Sequence, residues 1–140
     1  MFDDDDPFLA RVKKLALAYP DASMKVSHGR PAFFTAKVFA YFGGSQRIDG
    51  AWVSHDRCVL VLPDEIERPM LLDDDRVFIP AYLGPSGWLG FQLPPLSASA
   101  EAWDEVDDLL DASYRRTAGK RRVDRLDAAQ REGDAHPDAR

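Results

Sequence analysis

Cysteine is nearly missing from this sequence. Cys58 stands alone among 140 residues, so no disulfide can close within the chain and the fold has to be held by burial. There is also no run of 18 or more apolar residues, which excludes a membrane-spanning helix. The opening residues, Met1-Phe2-Asp3-Asp4-Asp5-Asp6, are acidic where a secretory leader needs a basic region and an apolar stretch, and a cytoplasmic protein is expected. Positive charge is in deficit as well. Lys and Arg number 18 against 24 Asp and Glu, and the net charge of −6 works against nonspecific affinity for nucleic acid.

The usual chemical signatures are missing too. The chain has no Gly-rich dinucleotide fingerprint, no phosphate loop ending in Lys and Ser or Thr, and no nucleophile elbow. His55-x-x-Cys58 offers two ligands where structural zinc takes four and catalytic zinc three, so neither a metal nor any other cofactor is expected. Strand alternation turns Cys58 to the side of Leu60 and Leu62, which reads as a buried thiol. The carboxylates at 73–75 and 104–108 read as an exposed loop and a solvated helix face rather than a general acid–base pair. No catalytic residue is assigned, and nothing specific argues for an enzyme.

What is present is enough apolar chain for one packed domain, since 45% of the residues are hydrophobic. Asp6 can cap a helix over 7–19, with Pro7 at its first position and Phe8, Leu9, Val12, Leu15, Ala16 and Tyr19 at helical spacing. Residues 24–62 read as β structure. Strands are expected at 24–28, 32–35, 38–42, 51–53 and 58–62, with a turn at Gly29-Arg30-Pro31, a break at Gly43-Gly44-Ser45, a loop over 46–50 and a turn over 55–57. Pro63-Asp64-Glu65 opens a short helix that Pro69 keeps from growing, and 87–93 is a last strand. The final helix spans 101–118, with Trp103, Val106, Leu110 and Tyr114 on one face and Gly119 as its stop. This order predicts an α+β fold, an antiparallel sheet with the two long helices on one face, and a core of Val12, Leu15, Trp103, Val106 and Leu110 with Leu60. One domain over 1–119 is expected, followed by a charged tail over 120–140 that is either a frayed helix or disordered.

Three short segments carry a resemblance. Gly29-Arg30-Pro31-Ala32-Phe33, Lys37-Val38-Phe39-Ala40 and Tyr82-Leu83-Gly84-Pro85-Ser86-Gly87-Trp88 follow in the order and spacing of the MmcQ/YjbR family. The resemblance covers roughly residues 8–118. It implies a small α+β protein akin to the CyaY-like sandwich, and a role in binding DNA with sheet hairpins as paired wings. Pro69 departs from the continuous middle helix of that family, and the tail past Gly119 lies outside its pattern.

Two functional readings follow. As a DNA-binding module of regulatory type, the chain would use Arg47 and Arg57 on its wings. The cations Arg115, Arg116, Lys120, Arg121, Arg122 and Arg125 would support them, because duplex affinity rests on neutralising phosphates. The charge is divided accordingly: residues 1–114 hold 10 Lys and Arg against 19 Asp and Glu, whereas 115–140 hold 8 against 5. The plainer account of that basic segment is a helix C-terminus with favourable macrodipole contacts and a solvated tail. As a domain binding a small anion or a protein partner, the chain would use His28, Arg30, Lys37, Tyr82, Ser86 and Trp88. Arg30 would fork onto a phosphate or carboxylate, Lys37 would add a point charge, and Tyr82 and Trp88 would offer stacking faces beside the Ser86 hydroxyl. Turn geometry and core packing alone also account for these residue types.

Overall fold

Two dipeptides set the geometry of the sheet. His28-Gly29 and Asp49-Gly50 have positive φ at both residues, 53° and 75° in the first and 51° and 80° in the second. That is the conformation of the two-residue hairpin turn whose twist matches antiparallel strands. In the computed structural model, which describes residues 2–135, the first turn joins β1 (Ser23–Ser27) to β2 (Arg30–Phe34). The second joins β3 (Val38–Ile48) to β4 (Ala51–Val61). With β5 (Val77–Phe78) and β6 (Leu89–Gln92) these strands form one antiparallel sheet in the order β1-β2-β3-β4-β6-β5. The helices are α1 (Pro7–Ala16), α2 (Arg68–Leu72), α3 (Ala100–Thr117) and α4 (Lys120–Ala135).

The α+β arrangement expected from the sequence is the one found. Val12 of α1 and Trp103, Val106 and Leu110 of α3 are buried in one cluster with Phe33, Phe39, Val59, Val61 and Phe91 of the sheet. Both helices therefore share a face. Asp6 caps α1 by accepting from the Phe8 amide at 2.8 Å, and Ser99 caps α3 by accepting from Ala102. The buried Ser113 ties α3 to the two central strands: its hydroxyl donates to the Phe39 carbonyl and accepts from the Leu62 amide at 2.9 Å. Tyr114 donates to the Pro20 carbonyl at 2.7 Å and packs its ring on Tyr19 and Phe39 at 5.0 and 5.3 Å.

Leu60 departs from expectation. It lies between Val59 and Val61, which face the helices, and so points to the opposite side. There it joins Cys58, Phe78 and Trp88 in a second, smaller cluster. Leu15 is only partly buried at the margin of the main core.

Several boundaries also move. Helix α1 ends at Ala16 and the chain tightens into i→i+3 turns, Leu15 to Ala18 and Ala16 to Tyr19, ahead of Pro20. Gly43-Gly44 does not break β3, and 55–57 is not a turn but part of β4. Pro69 sits in the first turn of α2, where a missing N–H is harmless, so it opens that helix rather than limiting one from Pro63. Of the two states expected for the stretch after Gly119, a frayed helix or disorder, residues Lys120–Ala135 are helical, and residues 136–140 lie outside the described residues. Leu126 of α4 is 7% exposed and belongs to the main core.

These placements order the cost of truncation. Trp103 is 2% exposed and its indole N–H donates to the Pro95 carbonyl at 3.1 Å. Trp103→Ala is expected to cost about 3–5 kcal/mol, and Leu126→Ala about 2 kcal/mol because its site lies nearer solvent. Urea denaturation of the two variants measures both. An unchanged midpoint for Leu126→Ala would mean that α4 adds nothing to the core.

Candidate functional site

The centre of the site is a break in the pairing of β3 with β4. Phe42 faces Val59, yet Gly44 faces His55, so β4 takes two residues more than β3 to cross the same gap. Such an irregularity bends and twists the ladder locally. Gly43 sits at the break with φ 82°, and the Arg30 guanidinium lies directly over it. A Cβ at position 43 would collide with Arg30 Nη1, so the glycine supplies both the conformation and the room.

A cleft of about 500 Å³ opens here on the face of the sheet away from α1 and α3. Arg30, His28 and Ser27 form its wall at the β1–β2 turn, Tyr41, Gly43 and Ser45 its floor, and Tyr82 its far side. The loop bearing Tyr82 is pinned by the Ala81 amide, which donates to the Ser45 carbonyl at 2.8 Å. Arg30 makes no ion pair among the described residues. Asp3, Asp6 and Asp56 share a neighbouring hollow of about 420 Å³ with it, but none comes within ion-pair distance. Arg30 also bears on Cys58 beneath it. Burial pushes that thiol up to about 12 and the nearby guanidinium pulls the other way, so Cys58 stays protonated at neutral pH.

His55 belongs to a separate polar link beside the cleft. Its Nε2 lies 3.0 Å from Gln46 Oε1 and its Nδ1 2.5 Å from Gln92 Nε2, while its ring stacks on Phe78 at 4.0 Å. The Gln92 amide can only donate and the Gln46 oxygen can only accept, which fits a neutral ring protonated on Nε2. Among the described residues no three His, Cys, Asp or Glu side chains are grouped to hold a metal ion.

Of the six residues singled out for anion binding, His28, Arg30 and Tyr82 meet in the cleft. Arg30 is the first residue of β2 rather than part of the turn. Lys37 is exposed at the other end of β2, Ser86 is exposed in the 3-10 turn Gly84–Ser86, and Trp88 is buried against Tyr41 with ring centres 5.6 Å apart. Sequence reasoning passed over Ser27, Ser45 and, above all, Trp52. Trp52 pairs with Arg47 across the hairpin, carries the Arg47 guanidinium 4.8 Å above its ring, and stacks on Tyr82 at 5.7 Å. The Asp49-Gly50 dipeptide between Arg47-Ile48 and Ala51-Trp52 was the signal that could have found it.

The cations considered for DNA are mostly occupied. Arg57 pairs with Asp6 at 3.5 Å and lies over Phe8. Arg115 pairs with Asp111 and Asp127, Arg116 with Glu65, Lys120 with Asp124, and both Arg122 and Arg125 with Asp21. The two arginines hold the Asp21 carboxyl below the usual range. Only Arg47 and Arg121 of this set make no ion pair among the described residues.

Compared with known proteins, residues 17–116 match the family model described as YjbR. No curated protein and no solved structure matches the chain.

The His55 link predicts a pH effect of definite sign. Burial lowers its pKa below the ordinary 6.5, with the Asp56 charge opposing. The unfolded chain then binds more protons than the folded one just below pH 6.5, so this contribution is full above that value and is lost as pH falls through the folded pKa. Burial raises Asp107 and Asp108, which act in the opposite direction. The contribution of His55 is therefore read as a difference: the melting temperature of the wild type should fall more between pH 7 and 5 than that of His55→Gln. Parallel curves would show that His55 does not carry the effect.

Proposed function

The chain belongs to the YjbR family, and from that membership and the cleft around Arg30 we propose that it is a binding domain for a small anionic ligand. The observation that carries this reading is a guanidinium with no ion-pair partner among the described residues, standing over a glycine in the wall of a cleft of about 500 Å³. Arginine presents planar paired donors that match carboxylate and phosphate oxygens. Ser27, Ser45 and His28 add polar groups within the same wall and floor. The volume lies within the range of small-ligand sites, which combine apolar lining with a few placed polar groups.

A second reading is DNA binding, and one observation favours it. Beyond Gly44 the β3–β4 pair is a two-stranded ribbon, because β2 pairs with β3 only up to Tyr41 and β6 with β4 only from Cys58. Arg47 lies near its exposed end. Against it stand the ion pairs that occupy Arg57 and five of the six cations at 115–125. Individual exposed pairs are weak, so it is the acidic surroundings and not any single pair that weighs against a duplex.

The two readings part in solution. Millimolar phosphate or citrate should raise the melting temperature of the wild type. Arg30→Lys should bind each anion more weakly, and Arg30→Gln should lose the response while remaining folded. Absence of any shift in the wild type would remove the ligand reading. Duplex binding carried by Arg47 and Arg121 alone would give a log–log salt slope of about −2, and a slope of −4 or steeper would mean that the α3 and α4 ion pairs open onto the phosphates.

A further inference from the structure

The far wall of the cleft is an aromatic side chain held in a strained backbone. Tyr82 has φ 66°, and the Leu83 amide closes a three-residue turn around it by donating to the Ala81 carbonyl at 2.7 Å. A γ-turn with positive central φ is rare and unfavourable for a bulky residue. No burial offsets this strain, since Tyr82 is 83% exposed. Its ring meets Trp52, itself 51% exposed, at 5.7 Å and 30° in a stacked arrangement, and Arg47 lies over the same Trp52 ring. Strain, exposure and stacking together hold a flat aromatic surface at the mouth of the cleft that contains Arg30.

We propose that this cleft binds a nucleoside monophosphate, with the phosphate on Arg30 and the base stacked on the outer face of Tyr82, whose other face rests on Trp52. This inference rests on the anion-binding reading of the same cleft and adds the class of ligand. A phosphate alone would account for Arg30, His28 and the two serine hydroxyls but leave the aromatic surface without a role. A base has two π faces and would cover exposed ring without demanding a particular sequence of hydrogen bonds. One phosphate fits better than three. Among the described residues Arg30 is the only Lys or Arg side chain lining the cleft, and the hollow on its other side sets Asp3, Asp6 and Asp56 against one further cation, Arg57, which is paired with Asp6, so its carboxylates would repel a longer polyphosphate.

The experiment titrates the full chain with inorganic phosphate, ribose 5-phosphate, adenosine and AMP, following heat of binding and tryptophan fluorescence. Stacking of a base on an aromatic side chain corresponds to a factor of about 5 to 150 in affinity. AMP is thus expected to bind at least five times more tightly than ribose 5-phosphate and to change the fluorescence, which ribose 5-phosphate should not. Tyr82→Ala should lower AMP affinity to that of ribose 5-phosphate and be rescued by Tyr82→Phe. Arg30→Gln should weaken both. Equal affinities for AMP and ribose 5-phosphate, or AMP binding untouched by Tyr82→Ala, would overturn the nucleotide inference and leave the anion site standing. Failure of phosphate, ribose 5-phosphate and AMP alike would overturn both.

Discussion

The pairing of β3 with β4 is the constraint on which the other elements depend. Each strand has 11 residues, and the two are the middle pair of the sheet. Before the break at Phe42 and Gly44 the pair is flanked on both edges, by β2 and by β6, and alternate side chains feed two separate cores. After the break it has no further strand partners among the described residues, and its ends carry Arg47 and Trp52. The same irregularity that lets the ribbon leave the sheet also makes room for Arg30 over Gly43. Fold and cleft are therefore not independent features: a regular ladder with a side chain at position 43 would straighten the ribbon and displace the guanidinium together.

The cations of the C-terminal segment are largely paired within the chain. The sequence separates an acidic body from a basic C-terminal segment, and the structure folds that segment back so that α4 meets Asp21 through Arg122 and Arg125. Arg115 reaches from α3 to Asp127 of α4 as well as to Asp111 on its own helix. Exposed pairs of this kind are weak, so the ion pairs orient α4 more than they hold it. The hold comes from Leu126, whose burial removes apolar surface from water.

The parts of the fold that could be read from the sequence were those with long-range periodicity. The apolar stripes of α1 and α3 each repeat often enough to declare a face, and the layer arrangement follows. What could not be read was local and geometric. Gly43-Gly44 looks like a breaker, because a glycine admitted for close approach to Arg30 is indistinguishable in sequence from one that ends a strand. Leu126 is a single leucine in a polar stretch, too little to mark a docked helix. The cleft was half legible: His28, Arg30 and Tyr82 were singled out and line it, whereas Lys37, Ser86 and Trp88 were singled out with them and do not. Trp52 was missed because its partners, Arg47 and Tyr82, are reached through a hairpin register and a loop.

The two faces of the sheet are closed by different means, and this has a consequence for how the protein opens. One face is sealed by helices. The other, with Cys58, Leu60, Phe78 and Trp88, is covered by the turn-rich stretch around Leu83. Segments with little regular structure of their own separate from a core at lower free energy than packed helices do. Cys58 lies beneath that cover as a protonated, enclosed thiol, invisible to alkylating reagents while the cover is in place. The solitary cysteine thus acts as a built-in clock for exposure of this face: the rate at which it reacts counts the excursions of the cover, independently of whether the helical side of the molecule ever comes apart.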